Sequence, residues 1–214
     1  MLTKYFKNLF YILATVTVLS ANAGSYEDFF IAIKNDNASN VQGLLERGFD
    51  PNTRDPKGQT GLNIALLERS AKTAKLLLAQ PGIDVNLLNS AGESALMVAA
   101  LKGDVGAAQT LLERGAKVNQ PGWSALHYAA TGPDTGLVRL LLDRGAELNA
   151  ASPNGTTPLM MAAQYGSEDS VSLLLARGAD VNRRNEKDLR AVDFARMSGR
   201  EGLIRKLESL TTPR

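Results

Sequence analysis

The sequence predicts an all-α fold: an α-solenoid of six helix-turn-helix repeats joined by short β-hairpin loops. Three observations carry this. An apolar motif with paired small residues recurs as TGLNIALLERS (60–70), SALMVAALKGD (94–104), SALHYAATGPD (124–134), TPLMMAAQYGS (157–167) and RAVDFARMSGR (190–200). A leucine-rich set runs in phase with it: LLERGFDPN (44–52), LLLAQPGIDVN (76–86), LLERGAKVN (111–119), LLDRGAELN (141–149) and LLARGADVN (174–182). The period is constant to within a few residues, because the motif positions Leu62, Leu96, Leu126, Leu159 and Val192 are separated by 34, 30, 33 and 33. Self-similarity at this period marks a stack of supersecondary units. One such helix pair cannot bury its apolar face alone, whereas stacked copies share a core.

The chain opens with a segment that reads as targeting rather than fold. Lys4 and Lys7 make a basic start, Leu9–Leu19 is an apolar run of eleven residues, and Ala21-Asn22-Ala23 offers small residues at the A-x-A positions. This is the layout of a secretory signal cleaved after Ala23, and the run is short for a bilayer span. An uncleaved anchor is the alternative. The expected location is the periplasm, with secretion as the second route. The repeat domain is expected over 24–214, with repeats at about 26–58, 59–92, 93–122, 123–155, 156–188 and 189–212.

The repeats follow in order. Stepping back 33 residues from Leu62 reaches Phe29, inside DFFIAIKND, so a degenerate first copy is expected there. Its Phe29 and Phe30 are expected to leave the outer face greasy or covered by Tyr26. Paired alanines at 99–100, 129–130 and 162–163 are small where neighbouring helices must approach. Leu111-Leu112, Leu140–Leu142 and Leu173–Leu175 supply apolar bulk. Gly48, Gly115, Gly145 and Gly178 stand where a left-handed residue ends the second helix. The second copy departs, with Gln80-Pro81-Gly82 adding a residue. The last copy reads as a cap, because Arg196, Arg200, Glu201, Lys206 and Glu208 let its helices face water.

On Thr157-Pro158-Leu159, Ala129-Ala130, Leu140–Leu142 and Gly178-Ala179-Asp180-Val181-Asn182, the chain resembles the ankyrin repeat family over about residues 26–212. The resemblance implies a non-catalytic module that docks another protein on a concave face. It also implies that His127, at the histidine position of the T-P-L-H motif, makes structural hydrogen bonds near the start of its helix.

The composition excludes several alternatives. The chain has 24 basic and 22 acidic residues, and the two lysines of the leader account for the excess, so the remainder is electrically balanced. No global attraction to nucleic acid or anionic lipid follows. There is no cysteine, which removes thiol catalysis, thiolate metal sites and disulfides. The single histidine lacks the base-and-orienter surroundings of a catalytic one. No phosphate-cradling G-x-x-x-x-G-K-[ST] pattern occurs. No cofactor or metal is expected, nor membrane insertion after cleavage, and the unbound chain is expected to be monomeric. Asp84 and Asp180 are expected to cap loops, and Glu168-Asp169 to favour a helix N-terminus.

Candidate partner contacts come from loop tips and from the residues that follow the paired alanines. They are Arg54, Lys57, Leu67, Glu68, Leu88, Leu101, Lys102, Trp123, Tyr165, Arg183 and Arg184. Large apolar or aromatic side chains at water-facing places suggest a partner patch, and Trp, Tyr and Arg dominate interface energetics. One finger differs. In the other copies ten residues separate the Asn of the -N step from the next motif position, but only seven separate Asn119 from Leu126. Pro121-Gly122 suits the centre of a type II turn. Two readings of Trp123 stay open: it fills the notch left by its short finger, or it walls a notch that admits a partner loop. The setting is also open between an inhibitor or immunity protein against a toxic enzyme and an accessory protein of a periplasmic enzyme, for instance in oxidative defence. Self-association through Leu88, Leu101 and Trp123 is the scaffold alternative.

Overall fold

The computed structural model describes residues 24–211. The expected signal segment lies outside the described residues. The described chain is helical, in six consecutive pairs. Residues 24–34 form α1, followed by α2 (Ala38–Glu46), α3 (Gly61–Leu67) and α4 (Ala71–Ala79). Then come α5 (Ala95–Lys102), α6 (Val105–Glu113), α7 (Ala125–Thr131), α8 (Thr135–Asp143), α9 (Pro158–Tyr165), α10 (Glu168–Ala176), α11 (Ala191–Met197) and α12 (Glu201–Leu210). Contacts divide the chain into two compact units, one ending at Ile83 and the other beginning at Asp84.

In the first unit the aromatic residues turn inward. Phe29 and Phe30 are buried, so of the two expectations cover by Tyr26 holds and a greasy outer face does not. Phe29 meets Phe30 edge-on at 5.2 Å and lies 4.6 Å from Phe49. Tyr26 stacks on Phe30, and its hydroxyl donates to the Arg54 carbonyl at 2.8 Å. Gly61 opens α3 because Phe29 and Ile33 fill the space above it. A Cβ there would lie 2.8 Å from Phe29 Cε1 and 2.9 Å from Ile33 Cδ1. Asp36 adopts a left-handed φ of 50° and accepts from Thr73 N–H at 2.9 Å, capping the first turn of α4.

The second unit has two layers. Helices α5, α7, α9 and α11 pack side by side, while α6, α8 and α10 form the other layer. The paired alanines at 99–100, 129–130 and 162–163 are buried to within 1%. The leucine runs are more selective than their composition suggests. Leu111, Leu141 and Leu174 are fully buried, whereas Leu112, Leu140 and Leu173 are half-exposed. A helix turns by 100° per residue, so one leucine of each run points straight into the core and its neighbours lie at the flanks.

Helix ends follow the local chemistry. Thr60, Ser94 and Thr157 accept from the backbone N–H three residues on, as N-cap hydroxyls do. Gly48, Gly115, Gly145 and Gly178 take φ of 83–90° just past their helices, the left-handed stop that glycine makes without a Cβ penalty. The -N step has a mechanical role. Asn86 donates to Gly115 O and accepts from Lys117 N–H. Asn119 donates to Gly145 O and accepts from Glu147 N–H. Each asparagine thus ties its loop to the backbone of the following repeat. Asn52 does the same within the first unit, toward Gly82 O.

The fingers are hairpin turns too tight for a ladder; among the described residues the isolated bridge is Arg54 with Thr60. Each full-length finger closes by one backbone bond, as in Asn89 N–H to Glu93 O, Ser152 N–H to Thr156 O and Asn185 N–H to Leu189 O. Asp84 and Asp180 accept from the backbone N–H two residues on, the loop-capping role expected of them. The last helix pair departs from a purely solvent-facing cap. Arg196 is exposed and pairs with Asp193 and Glu208, but Arg200 turns inward and donates to the carbonyls of Ala162 and Ala163.

Candidate functional site

The shortened finger is an ordered structure. Gly122 has φ +84°, as the third residue of a type II turn requires. A Cβ at this position would touch Pro153 of the next finger at 3.6 Å. On the other side Gln120 Nε2 donates to Gly92 O at 3.1 Å, so the short finger is braced by both neighbours.

Trp123 is half-buried and packs on its own helix pair. Its ring meets His127 edge-on at 5.2 Å and Tyr128 at 6.4 Å. The aromatic ring therefore fills part of the notch, while the remainder of the side chain stays accessible. Tyr128 joins the same surface. Its hydroxyl donates to Glu93 Oε1 at 2.9 Å, and Glu93 Oε2 accepts from Asn89 Nδ2 at 2.8 Å. Burial, then the hydrogen bond to Glu93 and its charge, push the Tyr128 phenol up to about 12.

His127 is wholly buried. Ser124 N–H donates to Nδ1 at 3.1 Å, and Nε2 lies 3.0 Å from Thr156 O. This fixes the proton on Nε2, and the arrangement is structural, as the resemblance implied. Burial depresses its pKa, opposed by hydrogen bonds to the carbonyls of Thr156 and Ala150.

The other candidates separate by unit. In the first unit Arg54, Lys57 and Glu68 are exposed and Leu67 is half-buried. Arg54 Nη1 donates to Gly58 O of its own finger. In the second unit Leu88, Leu101 and Tyr165 are exposed by 40%, 45% and 61%. Lys102 is half-buried at the end of α5, Arg183 is exposed, and Arg184 bonds both the carbonyl and the carboxylate of Asp188. The C-terminal ends of α7, α9 and α11 touch: Gly166 sits against Ala130 O, and Ser198 Oγ donates to Gln164 O. Thr131 and Tyr165 therefore stand along one edge of the unit, and Leu101 holds the corresponding place near the end of α5, which packs on α7. Sequence reasoning missed Met197, 57% exposed, which continues that row. Its signal was position, since it follows Ala195-Arg196 as Leu101 follows Ala99-Ala100; arginine in the second alanine place hid the match.

Among the described residues no group of three His, Cys, Asp or Glu side chains is placed to hold a metal ion. No described helix is long and apolar enough to cross a membrane.

Comparison with known proteins adds the following. The family model for ankyrin repeats (3 copies) matches residues 29–122 and 116–185. The chain is 28% identical over 162 residues to human transient receptor potential cation channel subfamily A member 1, covering 71% of this chain and 14% of that protein. It is 33% identical over 170 residues to the mouse B-cell lymphoma 3 protein homolog, covering 78% and 32%. The chain thus spans a third or less of the length of these relatives. Among solved structures, it superposes with a TM-score of 0.74 and 25% identity on a chain of the complex between Bd0816 predatory endopeptidase from Bdellovibrio bacteriovorus and immunity protein Bd3460. The match covers 86% of this chain and 98% of that one, and the immunity protein is the partner with this fold.

Proposed function

Because the chain belongs to the ankyrin repeat family, a protein-binding fold, we propose that it acts outside the cytoplasm as a non-catalytic inhibitor or immunity protein that docks on a harmful enzyme. The observation that carries this reading is the likeness to the immunity protein of the endopeptidase complex over nearly its whole length. The basic start, apolar run and A-x-A ending of residues 1–23 support export to the periplasm.

In this reading the partner meets the finger and first-helix side of the second unit. Leu88, Leu101 and Tyr165 supply apolar contact, the open side of Trp123 the central anchor, and Lys102, Arg183 and Arg184 a polar rim. Arg54, Lys57, Leu67 and Glu68 belong to the same function in the first unit. An apolar centre with a charged rim is the usual anatomy of a protein interface.

The test is capture of envelope proteins on the immobilised native protein and on a Trp123→Ala, Leu101→Asp variant of matched helicity, followed by assay of any captured enzyme. A hydrolase held and inhibited by the native form, and released by the variant, supports the reading. An enzyme whose activity rises on binding favours the accessory role instead. Absence of any captured enzyme counts against both.

A further inference from the structure

A cleft of about 500 Å³ lies between α1 and α2 on the outer face of the first helix pair. Buried Ala32 and Leu44 line its base. Two ridges form its walls: Asp28, Ile31 and Asn35 along and just past α1, and Asn40, Gly43 and Arg47 along and just past α2. Both ridges have i, i+3, i+7 spacing, which keeps each on one helix face.

The two helices are antiparallel, joined by the short link after residue 34. Along the cleft, Asp28 therefore stands at the level of Arg47, Ile31 at the level of Gly43, and Asn35 at the level of Asn40. An acid is level with a base, a projecting side chain with a glycine, and an amide with an amide. Ile31 is 56% exposed. Neither Asp28 nor Arg47 has an ion pair among the described residues.

Gly43 is the telling residue. It lies inside a helix, where glycine weakens the fold, and its φ is not left-handed. A Cβ there would meet Arg47 Nη1 alone, at 3.4 Å. Nothing among the described residues calls for a glycine there. The other repeats carry Leu76, Thr110, Leu140, Leu173 and Lys206 at the same place in their second helices.

We infer that this face is self-complementary and packs on a second copy of the chain about a twofold axis parallel to α1 and α2. Such an axis sets Asp28 against the partner's Arg47, Ile31 against the partner's Gly43, and Asn35 against the partner's Asn40, each contact occurring twice. A twofold interface demands this reciprocity. Amides satisfy it because each carries a donor and an acceptor. The dimer departs from the monomer expected from sequence. It uses neither Leu88, Leu101 nor Trp123, so it leaves the proposed partner surface free.

Sedimentation equilibrium of the purified protein over a concentration series tests this, with helicity and melting checked for every variant. The native chain is expected to form dimers. Asp28→Arg alone and Arg47→Asp alone are each expected to weaken the dimer at least tenfold, because each sets like charges together. An equimolar mixture of the two variants is expected to restore it, since every facing pair is again opposite in sign. Gly43→Leu, which copies Leu76, Leu140 and Leu173, is expected to abolish the dimer without loss of fold. A native chain that stays monomeric overturns the inference. So does a dimer that survives these substitutions, or a mixture that fails to recover.

Discussion

His127 Nε2 lies 3.0 Å from the carbonyl oxygen of Thr156, so the fourth helix pair grips the residue that precedes the N-cap of the fifth. The same ring accepts Ser124 N–H at Nδ1, and Ser124 Oγ lies 2.9 Å from that nitrogen. Protonation of Nδ1 would cost the bond from Ser124 N–H. The folded pKa lies below the ordinary 6.5 because burial disfavours the charged ring. The unfolded chain therefore binds the proton more readily. The stability is complete above about pH 6.5 and declines as pH falls below it toward the depressed folded value. Urea midpoints measured across this range should fall on acidification in the native chain. His127→Ala should lower stability by about 2–4 kcal/mol at neutral pH and flatten the dependence.

Tyr128 gives the alkaline counterpart. Its phenol, pushed up to about 12 by burial and by Glu93, should give a late component in an ultraviolet titration, above the ordinary value of 10. The folded form holds the proton that the unfolded form releases near 10, so this contribution is complete below pH 10 and is lost as pH rises above it. Glu93→Gln should bring the titration down, since it removes the carboxylate that opposes the phenolate.

Gly61→Ala should destabilise the first unit by about 1–3 kcal/mol, because the new methyl group overlaps Phe29 and Ile33, both fully buried. Adding Phe29→Leu should recover part of the loss. Chemical denaturation of both singles and the double forms a cycle, and strict additivity would refute the steric account.

Gly166→Ala should cost more, at or above about 3 kcal/mol. Its Cβ would lie 2.1 Å from the Ala130 carbonyl oxygen, and backbone cannot swing aside as a side chain can. The φ of −82° is open to any residue, so the demand for glycine is one of space alone. Gly82→Ala, which meets nothing within 4 Å, should change stability by no more than about 0.5 kcal/mol.

Trp123→Ala should affect both folding and binding, because one edge packs on His127 and Tyr128 while the rest is open. The melting temperature should fall modestly, and affinity for the partner should drop by about 2–4 kcal/mol if the ring is the anchor. Leu101→Asp, at an exposed position, should leave melting unchanged and still weaken capture. Equal melting losses for the two variants would speak against this division.

What was legible in the sequence was whatever repeats. Helix pairs, left-handed glycines and buried alanines recur at a fixed phase, and each recurrence reinforces the others. The role of His127, the single histidine, does not recur and was legible only through the family resemblance. What stayed hidden was particular to one copy. Phe29 reads as a surface aromatic until Gly61, thirty-two residues later, is seen to make room for it. Arg200 reads as a solvated cap charge, but its long side chain reaches two carbonyls at the end of the previous pair's first helix. Half-burial of Lys102, Arg184 and Trp123 was equally unreadable, because spacing identifies the face of an element and says little about how far a long side chain folds back over it.

The asparagine ties also bear on how such a chain can change over generations. Asn119 still grips Gly145 and Glu147 although the finger beyond it is three residues short. The loss fell past the tie, at the tip, so the spacing between neighbouring helix pairs was undisturbed. Finger tips are thus free to lengthen or shrink independently, whereas a deletion on the helix side of an asparagine would throw every later repeat out of step. The molecule is thus divided into a frame whose spacing the ties hold and an edge whose length they leave open.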